Sequence, residues 1–143
     1  MQSNAAEVQP VTAEAVPAEE RIDTLPSFFP SCYLEFELMV FDVARTISKT
    51  YQGASGYWQF YRLSNGGFYM APHCDGEFEV TIPFGNGFRG SLSADAFGVA
   101  VTLYAYCFIA EKFPDADLAD HYARLYDYMS DHKEAGTIWQ AID

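Results

Sequence analysis

Basic residues are scarce in this 143-residue chain, where 8 Lys and Arg stand against 20 Asp and Glu for a formal net charge of −12. Surfaces that neutralise nucleic-acid phosphates are basic, so no direct nucleic-acid binding is expected. Cysteine is scarce as well. Cys32, Cys74 and Cys107 are odd in number, far apart and without a CxxC pair, which removes disulfide frameworks and thiolate zinc or redox motifs and leaves reduced thiols. No apolar run reaches the roughly 18 residues that span a bilayer. The longest, Ala96 to Ala110, is interrupted by Thr102 and reads as a buried helix. The amino-terminal stretch has neither the basic start nor the apolar centre of a secretory signal, so the expectation is a cytoplasmic protein with no membrane partner.

Residues 1–20 lack aromatics, Lys and Arg altogether and carry Glu7, Glu14, Glu19 and Glu20 with Pro10 and Pro17. With so little to bury, this segment is expected to be a disordered acidic tail. Apolar side chains dominate what remains: the chain is 50% hydrophobic and 17% aromatic. That is enough for one core, and residues 21–143 are expected to form a single domain. The acidic balance leaves two uses open, simple solubility and attraction of a basic protein partner.

Pro26 and Pro30 mark a segment that is not helical throughout, since Pro disfavours helical geometry in the residue before it. From Tyr33 onward Phe36, Val40, Val43, Ala44, Ile47 and Tyr51 recur at helical spacing, opposite Glu35, Asp42, Arg45 and Lys49. Gly53 and Gly56 close this amphipathic helix. Aromatic-rich Tyr57 to Leu63 reads as a strand, and Ser64-Asn65-Gly66-Gly67 as a tight turn returning Phe68 to Ala71 as its partner. A second hairpin is predicted from Glu77 to Phe84, where Phe78, Val80 and Ile82 alternate with polar residues, and from Phe88 to Leu92 after Gly85-Asn86-Gly87. Ser93 is a natural N-cap, with Asp95 in the favourable first turn of a helix that is apolar nearly all round and runs to about Lys112. Pro114 breaks it. Asp115 to about His132 follows as a helix with a core stripe of Leu118, Tyr122, Leu125 and Met129, and Ala135 to Ile142 as a short closing helix. The fold class is α+β: a small antiparallel hairpin sheet packed against about four helices, one of them central and apolar.

Chemistry-bearing residues form no strong motif. His73-Cys74-Asp75 holds the parts of a cysteine nucleophile system, but neighbours along an extended chain point to opposite sides, whereas catalytic partners must face one another. His121 or His132 would have to supply a base from elsewhere. His73, Cys74, His121 and His132 lack metal-ligand spacing, and the glycine turns match neither phosphate-binding fingerprint. No catalytic residue, cofactor or metal is therefore expected. Tyr57, Trp58, Phe60, Tyr61, Phe68 and Tyr69 are read as sheet packing, because only Arg62 accompanies them. Asp117, Asp120, Asp127 and Asp131 share one stripe of the fourth helix, with Arg124 among them. They are the candidates for contact with a basic partner; the alternative is that they solvate the helix, with Arg124 pairing locally to Asp120 or Asp127.

The segments WQFYRLSNGGFYMAP (Trp58 to Pro72), SADAFGVAVTLYAY (Ser93 to Tyr106), HYARLYDYMSDH (His121 to His132) and the terminal Ile142-Asp143 resemble the ArdB/KlcA antirestriction family. The chain departs from that pattern at His73-Cys74-Asp75 and around Phe113 to Ala119. The resemblance implies a compact protein of plasmids and other mobile elements that acts against type I restriction while sparing modification, without a catalytic residue and without mimicking DNA. Its implied partners are type I restriction enzyme subunits or another host protein. Two other readings compete: an acidic DNA mimic occupying the enzyme's DNA groove, and a small Cys/His hydrolase built on Cys74 or His121.

Overall fold

In the computed structural model residues 9–51 and 56–143 are described; Gly53, expected to close the first long helix, lies outside them. The architecture is mixed α+β. Strand β1 (Ala13–Ala15) precedes helices α1 (Arg21–Phe28) and α2 (Tyr33–Ile47), then come β2 (Trp58–Leu63), β3 (Phe68–Pro72), β4 (Glu77–Thr81) and β5 (Arg89–Ser93), and helices α3 (Ala94–Ile109), α4 (Leu118–Ser130) and α5 (Ala135–Ile142) close the chain. β1, β2 and β3 form one antiparallel sheet in that order, and β4 and β5 form a separate antiparallel pair.

One expectation about the amino-terminal region needs correction. Residues 9–20 are not a disordered tail: Ala13, Glu14 and Ala15 pair with Leu63, Arg62 and Tyr61, and Val16 is buried. The Thr12 carbonyl accepts from the Ser64 amide at 2.8 Å, and the Val16 amide donates to Phe60 at 2.9 Å. The open edge of β2 supplies the hydrogen bonds that the local composition does not ask for. The segment through Pro30 is not helical throughout, as expected, since α1 ends at Phe28, although α1 does hold Pro26 inside it. Its cost is offset on the buried side by Leu25 and by Thr24, whose hydroxyl donates to the Glu20 carbonyl at 2.7 Å. Arg21 lays its guanidinium over the rings of Phe60 (4.0 Å) and Tyr57 (4.5 Å), fastening α1 to the sheet.

The first hairpin turns at Gly66, the single residue there with positive φ (+90°); Asn65 does not adopt positive φ and uses its side chain instead. Its Oδ1 accepts from the Gly67 amide at 3.0 Å and its Nδ2 donates to the Arg124 carbonyl at 3.0 Å, tying the turn to α4. Asn86 repeats the device in the second hairpin, donating to Gln140 of α5 at 2.7 Å.

Helix α3 is the centre of the molecule, with 12 of its 16 residues buried. The Ser93 hydroxyl caps it, accepting from the Ala96 amide at 3.1 Å. One stripe of α3 at four-residue spacing seals the outer edge of β3. The register pairs Tyr69 and Ala71 with β2 and leaves the peptide groups of Phe68 and Met70 facing away. Thr102 answers both groups of Met70, and the Tyr106 hydroxyl donates to the Phe68 carbonyl at 2.7 Å. Gly98 allows the approach: a Cβ there would lie 2.5 Å from the Met70 carbonyl oxygen. Beneath this seam Phe29, Phe36 and Tyr106 stack at 4.3 and 5.3 Å in the core.

Candidate functional site

From sequence Asp95 is only a favourable charge in the first turn of α3. In the fold it is the centre of a network that joins β3, α3 and the end of α4. Its Oδ1 accepts from the Tyr69 hydroxyl at 2.6 Å and its Oδ2 contacts His132 Nε2 at 2.7 Å. The other imidazole nitrogen, Nδ1, accepts from the Glu134 amide at 2.9 Å, so Nε2 carries the proton and donates to Asp95. Glu134 in turn accepts from the Ser93 amide at 3.0 Å, fixing the α5 approach to the start of α3.

Three tyrosines brace the carboxylate. Tyr61 stacks on Tyr69 with centroids 4.7 Å apart, and Tyr69 stacks on Tyr128 at 5.4 Å. Burial pushes the phenols of Tyr61, Tyr69 and Tyr128 up, and the Asp95 charge adds to it. Burial would also raise Asp95, yet hydrogen bonds from His132 and Tyr69, with the nearby charge of Lys133, hold its carboxyl below the ordinary range. The site therefore combines protonated phenols with a carboxylate kept as an anion.

Asp95 opens onto a cleft of about 320 Å³ lined by Tyr61, Pro72, His73, Cys74 and Asp75. A larger cavity of about 460 Å³ between α1 and α2 is walled chiefly by Ile22, Leu25, Tyr33, Leu34 and Phe60 and has no comparable network behind it. The smaller cleft is the candidate site because its polar groups converge and are held from behind.

The residues singled out from sequence are dispersed. His73, Cys74 and Asp75 are exposed at the cleft, where the His73 ring meets the Tyr57 ring edge-on at 5.8 Å. His121 lies in the core instead of Tyr122, which is only half-buried; it packs against Phe29 (4.9 Å) and Tyr106 (5.8 Å), and burial pushes its pKa down. Its Nδ1 is buried and has no hydrogen-bond partner among the described residues. His132 has both ring nitrogens engaged, as described above. Among the described residues no group of three or more His, Cys, Asp or Glu is placed to hold a metal ion. Asp117, Asp120, Asp127 and Asp131 are all exposed along α4, with Asp117 as the left-handed N-cap residue at φ 53°. Arg124 forms no ion pair with Asp120 or Asp127 among the described residues, contrary to the expected local pairing. It lies half-buried against the first hairpin, its Cβ beside Gly67.

Comparison with known proteins assigns this α+β arrangement to one class. The family model described as antirestriction protein matches residues 49–143. An antirestriction protein KlcA of Escherichia coli is 41% identical over 140 residues, covering 94% of this chain and 96% of that protein. A second E. coli protein of that name is 42% identical over 141 residues, 94% of each chain. The solved structure of KlcA and ArdB, described as a novel fold with antirestriction activity against type I DNA restriction systems in vivo but not in vitro, matches with a TM-score of 0.85 at 40% identity over 100% of both chains. The chain belongs to the antirestriction protein family.

No helix among the described residues is long and apolar enough to cross a membrane.

Proposed function

We propose that this chain protects incoming mobile-element DNA from host type I restriction through protein contacts, without chemistry of its own and without mimicking DNA. The observation that carries the reading is the full-length likeness to KlcA and ArdB, proteins described as active against type I systems in vivo but not in vitro. Activity that needs the cell is the behaviour of a protein whose partner is another host component, or a restriction subunit in its cellular state. Such a protein works in the cytoplasm, where restriction meets entering DNA.

Two features support the absence of chemistry and of mimicry. A hydrolase on Cys74 needs a free base, and His132 spends both ring nitrogens on Asp95 and Glu134 while His121 is enclosed by aromatic rings. A DNA mimic about 35 Å across would replace about 20 phosphates, at one charge per roughly 1.7 Å. After Asp23 the chain has 15 acidic and 7 basic residues, a net of −8 spread around the whole molecule, of which one face presents only part. Asp117, Asp120, Asp127 and Asp131 are the exposed carboxylates open to a basic partner, against the simpler role of solvating α4.

The test is the plating efficiency of unmodified phage on cells with a type I system, with and without the chain, beside cleavage of unmodified DNA by the purified enzyme. Rescue in cells without inhibition of the purified enzyme is expected. Absence of rescue would sink the antirestriction reading, and inhibition competitive with DNA would favour the mimic.

A further inference from the structure

We propose that the cleft between the β3–β4 turn and the start of α3 receives a guanidinium group, the side chain of an arginine presented by a protein partner. The carboxylate of Asp95 is built for a second set of donors. Tyr69 and His132 each give one hydrogen bond from the protein side, and the His132 side chain is 5% exposed while that of Asp95 keeps 37%. A carboxylate has about four acceptor positions, so roughly half of this one's capacity faces the cleft. Two parallel N–H donors from a guanidinium fork fit that vacancy in a way that the point charge of an ammonium does not.

The walls suit the same group. The ring of Tyr61, fixed by its stack on Tyr69, gives a planar surface against which a guanidinium can lie. Asp75, exposed on the β3–β4 turn, adds a second carboxylate to the lining. Among the described residues no Lys or Arg forms a contact ion pair with Asp75 or Asp95, and Lys133 acts on Asp95 only from a distance, so neither carboxylate is capped by a guanidinium or ammonium of this chain. The net charge of −12 steers basic partners toward the molecule as a whole. Free arginine would bring its own α-carboxylate toward two aspartates, so a peptide-borne arginine is the better match.

This inference stands on the cleft and not on the antirestriction reading, and its test uses purified full-length protein, so that either can fail alone. The isotopically labelled chain is titrated with N-acetyl-arginine methylamide, with the lysine and citrulline analogues, and with free arginine, while its amide resonances are followed. Saturable shifts centred on residues 73–76 and 94–96 are expected with the arginine amide, at least about tenfold weaker with uncharged citrulline, a difference of about 1.4 kcal/mol. The lysine analogue is expected between them, and free arginine below the amide. Asp95→Asn should abolish the binding. Asp75→Asn, at an exposed position outside the network, should fold normally and weaken binding severalfold. Shifts of equal size with citrulline, or unchanged binding in folded Asp75→Asn and Asp95→Asn, would overturn the site. Free arginine binding more tightly than the amide would overturn its assignment to a partner's side chain.

Discussion

His132 donates to Asp95 from 2.7 Å because its other nitrogen is held as an acceptor by the Glu134 amide. Asp95→Asn retains the shape but removes the charge and turns one of the two acceptors into a donor, so it cannot accept from both Tyr69 and His132 and should destabilise the fold at neutral pH. The pH dependence follows from the lowered carboxyl of Asp95. A folded pKa below the unfolded value of about 3.9 contributes stability above that value and loses it as pH falls through the folded one. Urea midpoints should therefore separate wild type from Asp95→Asn at about pH 7 and draw together as pH falls below the ordinary carboxylate value of about 3.9. A gap that widens in acid would contradict the assignment.

Gly98→Ala addresses the seam between α3 and β3. The added methyl would sit 2.2 Å from the Ala71 Cβ and 2.5 Å from the Met70 carbonyl oxygen, so helix and strand must separate and strain the hydroxyl contacts of Thr102. Chemical denaturation should show a loss of about 1–3 kcal/mol or more, although Ala is the better helix former by about 1 kcal/mol.

A chain beginning at Arg21 tests the amino-terminal strand. It loses the β1 pairing with β2 and uncovers the pocket filled by Val16, which is 3% exposed. Burial of one valine is worth about 1.5–3 kcal/mol, so the truncated chain should melt measurably lower than the full one. Equal melting would return this segment to the status of a dispensable tail.

The legible parts of the fold are those whose physics is local. Ser93 before a long apolar run marks the α3 start, the alternation of Phe78, Val80 and Ile82 marks β4, and Asn65-Gly66 marks the hairpin. β1 was illegible because Ala-Glu-Ala has no strand preference and exists as a strand only against β2. α1 was hidden by Pro26, whose penalty is outweighed by tertiary burial. The site was illegible for a related reason: Asp95 and His132 are 37 residues apart, and Tyr69 and Tyr128 are 59 apart. The sequence motif that drew attention, His73-Cys74-Asp75, does line the same cleft, but the residues that hold Asp95 carry no pattern along the chain.

The acidic stripe of α4 is a surface feature with a clear test. Asp120 and Asp127 are exposed and form no ion pair among the described residues. Asp120→Asn with Asp127→Asn should change stability by less than about 1 kcal/mol and leave protection of unmodified phage intact. Full restriction at matched protein level and unchanged melting would make the stripe a partner-binding face.

Protection by contact, without chemistry, is tested most directly by removing the reactive side chains at the cleft mouth. Unmodified phage are plated on cells with a type I system expressing wild type or His73→Ala with Cys74→Ser, at matched abundance and with the melting transition of each confirmed. Equal rescue of plating by both proteins is the expected result. Rescue by wild type, with full restriction in cells carrying the folded double variant, would contradict it and place chemistry at the cleft.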